Sequence, residues 1–527
     1  MTIFFLWNAY FLLKLYLNAK GSIALDVPLN LAFLAFVALP APAALARRRG
    51  FTVLRQGVNA VLAVCLLWHD SYLPPVLRGW AQLEEQGVPS LAYVVSFVIG
   101  FFDWRLFAAI GGALMISFAL RKRRAVAAGL TAVGLVGVPN YLAWAAAKQV
   151  AAQPARATAA PTDPAAVRDD FYSRESERVV LFKKPSEPAF DVVILHVCSM
   201  AWSDLKAVKL DQHEFFKGMD YVFTGFNSVS SYSNPAVMRL LRANCGQTTH
   251  TDLYNPAPAA CLLFESLKGA GYRNYVTMSH DGKYGQYTED IKKNGMADAT
   301  YFFPEKMPVQ SIFFDDSKMY SDFDMLQRWL KARTADAARR AALYFNSVNL
   351  HAGSHWVDER KWWTRDASDQ YQDFASFLLH GLQKFMTELA RSQRNVVVVF
   401  VPEHGRALKS TPMQGKDLRD VPLPGITHVP LGIKLMGPGS KRPPQQVVVD
   451  KPTSYLALSW LLARFVEKSP FGTGADAPDE IAKKLPATDF VSDHSGTTIV
   501  QVGGAYYMNQ AEKSKEWTLL TPAQLGE

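Results

Sequence analysis

Five apolar stretches dominate the first 150 residues, near 2–18, 27–46, 57–73, 101–120 and 126–147. Each is close to the roughly 20 residues that a helix needs to cross a bilayer. Lipid offers no partner to a backbone N–H or C=O, so stretches of this kind are confined to helices. They divide the chain into a part built to meet lipid and a part built to meet water. Asn8 and Lys14 interrupt the first stretch. A secretory signal is the alternative there, but no charged start or small-residue cleavage site precedes or follows it, so it reads as a retained helix.

The charges follow the same division. Residues 1–150 hold 13 Lys/Arg against 5 Asp/Glu, and the remainder holds 43 against 42. A basic excess confined to the apolar part fits membrane orientation and excludes a nucleic-acid-binding surface. Basic clusters at 47–49 and 121–124 follow the second and fourth stretches. Lys and Arg stay on the cytoplasmic side, and two stretches separate the clusters, so both face that side. The N-terminus is then cytoplasmic. The fifth stretch delivers everything after about residue 148 to the far side, the periplasm in a Gram-negative bacterium. At the outer end of the third stretch, Trp68 and Tyr72 read as interfacial anchors, and His69 and Asp70 could meet a lipid headgroup or a partner.

Residues 149–188 are rich in Ala, Pro and Thr and read as a linker with a short helix near 168–178. Residues 189–527 read as one large α/β domain, in which β-branched runs at 191–197, 274–278, 342–348, 395–401 and 429–436 alternate with helical patterns. That alternation predicts a mainly parallel sheet covered on both faces. A strong helix is expected over 369–390, where Phe374, Phe377, Leu378, Leu382, Phe385 and Leu389 recur at helical spacing. The 49% hydrophobic content and four cysteines exclude a disordered chain and a disulfide-stapled miniprotein.

Open α/β sheets gather their binding residues beyond the carboxyl ends of the strands. Cys198 follows the first run, His351 and His355 follow the third, and Glu403 and His404 follow the fourth. Cys, Glu and His all ligate zinc. The bland reading of Cys198 is a small buried residue. The adjacent Glu403 and His404 can serve one ion only if the chain bends there, and Pro402 and Gly405 favour a bend. In the segment 230–235, Pro235 suits the first position of a helix running to about 243, with Asn234 as its N-cap. Ser233 would then lie just ahead of a helix N-terminus, where a phosphate is favoured. The alternative is a serine-rich turn that only caps the helix. Cys245 and Cys261, 16 positions apart, can pair in an oxidising compartment, and such a loop stabilises by about 3 kcal/mol. Cys65 falls inside an apolar stretch, which leaves Cys198 as the odd thiol of the α/β part. Zinc ligation would protect it.

The stretches 197–204, 231–236, 239–248 and 401–405 together resemble the cellulose phosphoethanolamine transferase family, BcsG, over essentially the whole chain. The resemblance implies a multi-pass protein of the bacterial inner membrane with an alkaline-phosphatase-like domain in the periplasm. It implies a zinc site on Cys198, Ser233, Glu403 and His404, with Ser233 as nucleophile and a disulfide between Cys245 and Cys261. Tyr232, His351 and Arg419 match further pocket residues of the family. His351 is the expected acid or base, with His355 as the alternative. Arg419 is expected either to hold a phosphate oxygen or to pair with Asp420 at the surface. Asn234 departs from the Gly expected in relatives. Related enzymes that modify lipid A use a threonine nucleophile, so the Cys198 and Ser233 pair sets this chain apart. The implied donor is phosphatidylethanolamine and the implied acceptor is the glucosyl 6-hydroxyl of cellulose, with cellulose synthase subunits as partners. Trp202, Trp356, Trp362 and Trp363 are placed either for packing or for stacking on sugar. A phosphodiesterase or sulfatase-like hydrolase on the same fold, and a non-enzymatic scaffold of the synthase complex, are the competing readings.

Overall fold

A computed structural model describes residues 4–40, 42–46, 48–73, 89–100, 104–151, 163–511 and 516–526. The N-terminal part is helical, with Phe4–Ala19, Val27–Ala38, Ala43–Ala46, Arg49–Asp70, Leu91–Gly100, Trp104–Ala119 and Arg124–Ala151 in sequence. Arg49–Asp70 and Arg124–Ala145 are long and apolar enough to cross a membrane, and Val27–Ala38 and Trp104–Ala119 are shorter apolar helices. The helix Leu91–Gly100 was not anticipated, and residues 101–103 of the expected fourth stretch lie outside the described residues.

The polar residues that interrupt these helices find each other. Lys14 Nζ lies 2.6 Å from Asp70 Oδ2 and donates to Asn30 Oδ1 at 2.7 Å, while Asn30 Nδ2 donates to Asp70 at 2.7 Å. Asn8 accepts from Thr131 at 2.7 Å and donates to Ser117 at 3.1 Å. Asp70 is therefore buried against Lys14 and not presented to headgroups. A charge between apolar helices costs heavily unless it is paired, which explains the pairing. Tyr72 also differs from expectation. It is buried beside Met413, Leu423 and Leu520 of the α/β part and is no interfacial anchor.

The α/β part is built on an eight-stranded sheet. Its order is β11 (Val447–Val449), β2 (Tyr221–Phe223), β10 (Leu431–Met436), β9 (Val396–Pro402), β1 (Asp191–Val197), β7 (Arg340–Ser347), β3 (Tyr272–Met278) and β4 (Thr300–Phe302). Only β10 runs antiparallel to its neighbours. Every residue of β1, β7 and β9 is buried. Val192 and Ile194 enter one core with Val397 and Val399, and Val193, Leu195 and Val197 enter the opposite core with Leu343 and Phe400. The two-residue alternation of a strand serves both cores at once, which is why these runs are apolar throughout. The helix Ala367–Arg391 covers the second core with Phe374, Leu378, Leu382, Phe385 and Leu389, and Asp366 caps it by accepting from Ser368 N.

Two smaller sheets complete this part. One is β6 (Lys318–Tyr320), β5 (Val309–Ile312) and β8 (His355–Trp356). The other is β12 (Val491–His494), β13 (Thr497–Val502), β14 (Ala505–Gln510) and β15 (Thr518–Leu519). Part of the segment expected as linker is folded. The helix Pro164–Ser176 buries Phe171 against Val491 and Val500 of the second small sheet. Cys245 and Cys261 form a disulfide.

At the amino-terminal end of β1, Asp191 is held by two cations. Arg333 donates from Nε and Nη2 at 3.0 and 2.9 Å, and Arg394 donates from Nε at 2.7 Å. Asp191→Ala removes the carboxylate that holds the fully buried Arg333 most closely and leaves it only Asp336, 3.7 Å away. The expected loss is about 3–5 kcal/mol of stability, read as a lowered denaturant midpoint by tryptophan fluorescence.

A candidate metal and nucleophile site at the carboxyl ends of the central strands

Three adjacent strands end at one place. Cys198 is the first residue beyond β1, and its N–H donates to Ser347 O at the end of β7 at 2.8 Å. Glu403 follows β9, and its N–H donates to Val197 O at 2.8 Å. The chain then turns. His404 O accepts from Met200 N at 2.7 Å, and Gly405 N donates to Ile426 O at 2.7 Å. A Cβ on Gly405 would lie 2.6 Å from Ala201 Cβ and 2.7 Å from Asp204 Oδ2, so only glycine permits this approach. Asp204 ties the two turns together by accepting from the backbone N–H groups of Ala201, Arg406 and Leu408 at 3.1, 2.7 and 3.0 Å. Burial pushes its carboxyl up to about 6 in spite of those three donors. Ser199, at φ +60°, occupies the left-handed region that lets the chain reverse after Cys198.

Ser233 joins this corner from the start of the helix Ser233–Leu241. The helix begins earlier than its sequence suggests. Tyr232 holds the N-cap position, and Ser233, Asn234 and Pro235 form the first turn. Pro235 is tolerated there because first-turn N–H groups have no helical acceptor. Asn234 is consequently not the cap. Its amide donates to Gly285 O and, at 3.0 Å, to Asp290.

Cys198 Sγ, Ser233 Oγ, Glu403 and His404 Nε2 converge. Ser233 Oγ is 3.6 Å from Cys198 Sγ and 3.5 Å from His404 Nε2. Cys198 Sγ is 3.7 Å from His404 Nε2, which is 3.8 Å from Glu403 Oε2. The oxygen and nitrogen separations are long for hydrogen bonds. They are close to the edges of a tetrahedron around zinc, which bond lengths of 2.0–2.3 Å put at about 3.3–3.6 Å.

The surrounding hydrogen bonds aim each donor inward. Glu403 Oε1 accepts from Asn346 Nδ2 at 2.7 Å and Tyr287 OH at 3.1 Å, whereas Oε2 is buried with no hydrogen-bond partner. His404 donates from Nδ1 to Gly405 O at 2.8 Å, so its Nε2 carries the lone pair. Burial pushes the Cys198 thiol up to about 12, raises the Glu403 carboxyl and holds His404 neutral. A thiol, a carboxylate and a neutral imidazole buried together are the donors that a divalent cation takes. The residues fit a divalent ion.

Arg419 is buried here and is no surface residue. It donates from Nη2 to His351 Nε2 at 3.3 Å and from Nη1 to Ser199 Oγ at 3.4 Å, while its Nε has no partner. Asp420 accepts from Tyr232 OH at 3.1 Å instead, and the Tyr232 ring lies under the guanidinium at 5.2 Å. His351 donates from Nδ1 to Ala352 O at 2.8 Å. Burial, reinforced by Arg419, pushes its imidazole down to about 3, so it is neutral. His355 is directed elsewhere and stacks on Trp362 at 4.5 Å. Trp202 packs on Phe216 and Trp356 on Phe374, which accounts for both by packing, and Trp363 is exposed.

Reading the sequence missed the collar around Glu403. Asn346 also donates to His196 O at 3.0 Å and accepts from His280 at 2.8 Å, and Tyr287 OH meets Tyr344 OH at 2.6 Å. The available signal was a polar residue inside an apolar run, His196 in β1 and Asn346 in β7, which face each other in register.

Comparison with known proteins bears on the whole chain. The family model described as the cellulose biosynthesis protein BcsG C-terminal domain matches residues 146–517, and the one described as the BcsG N-terminal domain matches residues 7–139. The cellulose biosynthesis protein BcsG of Escherichia coli strain K12 is 33% identical over 530 residues, covering 94% of this chain and 92% of that protein. Its counterpart in Salmonella typhimurium strain LT2 is 33% identical over 536 residues, covering 95% and 94%. Among solved structures, an alkaline phosphatase superfamily protein from Vibrio parahaemolyticus aligns at 10% identity and a TM-score of 0.47, covering 69% of this chain and 94% of its own. The C-terminal periplasmic domain of EcEptC from Escherichia coli aligns at 12% and 0.46, covering 62% and 99%. On the two domain matches and the full-length identity, the chain belongs to the BcsG family of cellulose biosynthesis proteins.

Proposed function

We propose that this protein is a zinc-dependent phosphoethanolamine transferase of the bacterial inner membrane, acting on cellulose. The observation that carries the reading is the convergence of Cys198, Ser233 and His404 at 3.5–3.7 Å, with Glu403 Oε2 3.8 Å from His404 Nε2 and the hydroxyl of Ser233 at a helix N-terminus. Residues 1–148 form the membrane part with five spans, 149–188 lead out of it, and 189–527 are the periplasmic catalytic part. The orientation is supported by Arg124, which lies against the Phe4 ring at one end of the helices, while Tyr72 and Gly21 meet the α/β part at the other.

Zinc bound by these four residues would act as a Lewis acid, lowering the pKa of the Ser233 hydroxyl and drawing charge from the phosphoryl oxygens. Ser233 Oγ attacks the phosphorus of phosphatidylethanolamine, the bond to the glycerol oxygen breaks, and diacylglycerol leaves with a proton. Phosphoethanolamine stays on Ser233 as a phosphodiester. The glucosyl 6-hydroxyl then attacks that phosphorus, loses its proton, and returns Ser233 to its free form. Arg419 Nε, buried without a partner, is placed to hold a phosphate oxygen. His351, whose Nε2 lies 3.3 Å from Arg419 Nη2, is the candidate to pass the proton of either step. The donor is a lipid, so a tethered site meets it at high effective concentration.

Trapping tests the reading. Protein mixed with phosphatidylethanolamine vesicles and no glucan is expected to carry phosphoethanolamine on Ser233, seen by peptide mass spectrometry. Free phosphoethanolamine with no labelled glucan, once glucan is added, would make the protein a hydrolase. No adduct and no release would leave the scaffold role.

A further inference from the structure

The aromatic wall beside the site is completed by a residue of the membrane part. Phe314 stacks on the His351 ring at 5.0 Å and 27°, and Tyr284 packs edge-on against it at 6.2 Å. From the other side Tyr93 meets Phe314 at 5.7 Å. The approach is fastened by backbone, since Ser90 N donates to Phe314 O at 2.9 Å. It is also close. A Cβ on Gly353, at φ +84°, would lie 2.5 Å from Tyr93 Cδ2 and 2.8 Å from Phe314 Cβ. Tyr93 sits on the helix Leu91–Gly100, whose Leu91, Val94 and Val95 are exposed and apolar. One side of this helix is thus suited to lipid, and the other touches the ring that supports His351.

Resting on the transferase reading, we infer that Tyr93 is a positioning residue for a membrane-resident donor. Its ring braces Phe314 and forms the bilayer-side wall of the pocket, against which the glycerol and first acyl esters of a glycerophospholipid rest while its phosphorus faces Ser233. A donor that arrives from water needs the headgroup contacts but not this wall. The inference makes donor choice a property of the joined chain, since the residue comes from the helical part and its contacts from the α/β part.

The test compares the full chain with Tyr93→Ala and Tyr93→Phe on two donors, phosphatidylethanolamine in vesicles and glycerophosphoethanolamine in solution, reading the Ser233 adduct. Tyr93→Ala is expected to lower the ratio of vesicle to soluble kcat/KM by about tenfold, chiefly through KM, and Tyr93→Phe to restore it. An unchanged ratio overturns the inference, whether both activities fall together because the ring only props the fold or neither falls. A wild-type chain that forms no adduct with either donor overturns the transferase reading and this inference with it. A wild-type chain that works, with an unaffected Tyr93→Ala ratio, overturns this inference alone.

Discussion

Ser233→Ala is expected to lower phosphoethanolamine transfer by at least about a thousandfold, some 4 kcal/mol of transition-state stabilisation, with the chain still folded. Removing a nucleophile leaves only what binding and electrostatics give to a direct attack by the acceptor. The fold is expected to survive because Ser233 is not the capping residue. Tyr232 occupies the N-cap, and the Ser233 hydroxyl faces the site residues Cys198 and His404. Alanine is also a better helix former in that first turn. Transfer is read as labelled glucan, and folding as an unchanged denaturant midpoint. Activity near wild type would remove Ser233 from the chemistry. Lost activity together with a collapsed midpoint would make the serine structural. The same variant separates catalysis from any role in assembling the synthase complex, since a scaffold keeps its partners without the hydroxyl.

What could be read in advance, and what could not, follows from where each residue's constraints come from. The central strands were legible because burial on both faces permits little besides Val, Ile, Leu and Phe. β1 begins and ends at Asp191 and Val197, as its apolar run does. Cys198, Glu403 and His404 were legible for the same reason, as polar residues at the ends of such runs. The four-stranded sheet β12–β15 was not. Its strands are short and partly exposed, and its register is set by partners such as Phe171 from a segment that reads as linker. Arg419 was ambiguous because Asp420 is adjacent in sequence. In space the aspartate is taken by Tyr232 and the arginine by His351. Lys14 reads as an interruption of an apolar stretch and Asp70 as a residue that could meet a headgroup or a partner, and only their contact at 2.6 Å makes sense of both. Pairwise reasons of this kind cannot be seen in either residue alone.

The second large effect concerns the ion itself. Metal uptake is expected to tighten by about tenfold per pH unit through neutrality, for one proton released on binding. The sign follows from Cys198. Burial, with Glu403 beside it, pushes the thiol up to about 12, so the metal-free protein holds that proton at every pH up to that value. In the proposed site the ligand is the thiolate, so binding must expel the proton, and raising pH favours the bound form. If Ser233 ionises as well, the dependence steepens. Cys198→Ala removes both a ligand and a proton. Its affinity is expected to fall by more than the ten- to hundredfold that loss of an outer partner costs, and its pH slope by about one. Competition with a zinc chelator at pH 6.5 and 7.5 reads both quantities, and proton release in weak buffer gives the count independently. A wild-type slope of zero would mean that Cys198 is not a ligand, since no other arrangement lets a cation bind this thiol while its proton stays. An unchanged affinity in Cys198→Ala would say the same, and would return the residue to the apolar packing that its neighbours Phe313, Phe314 and Val348 also allow.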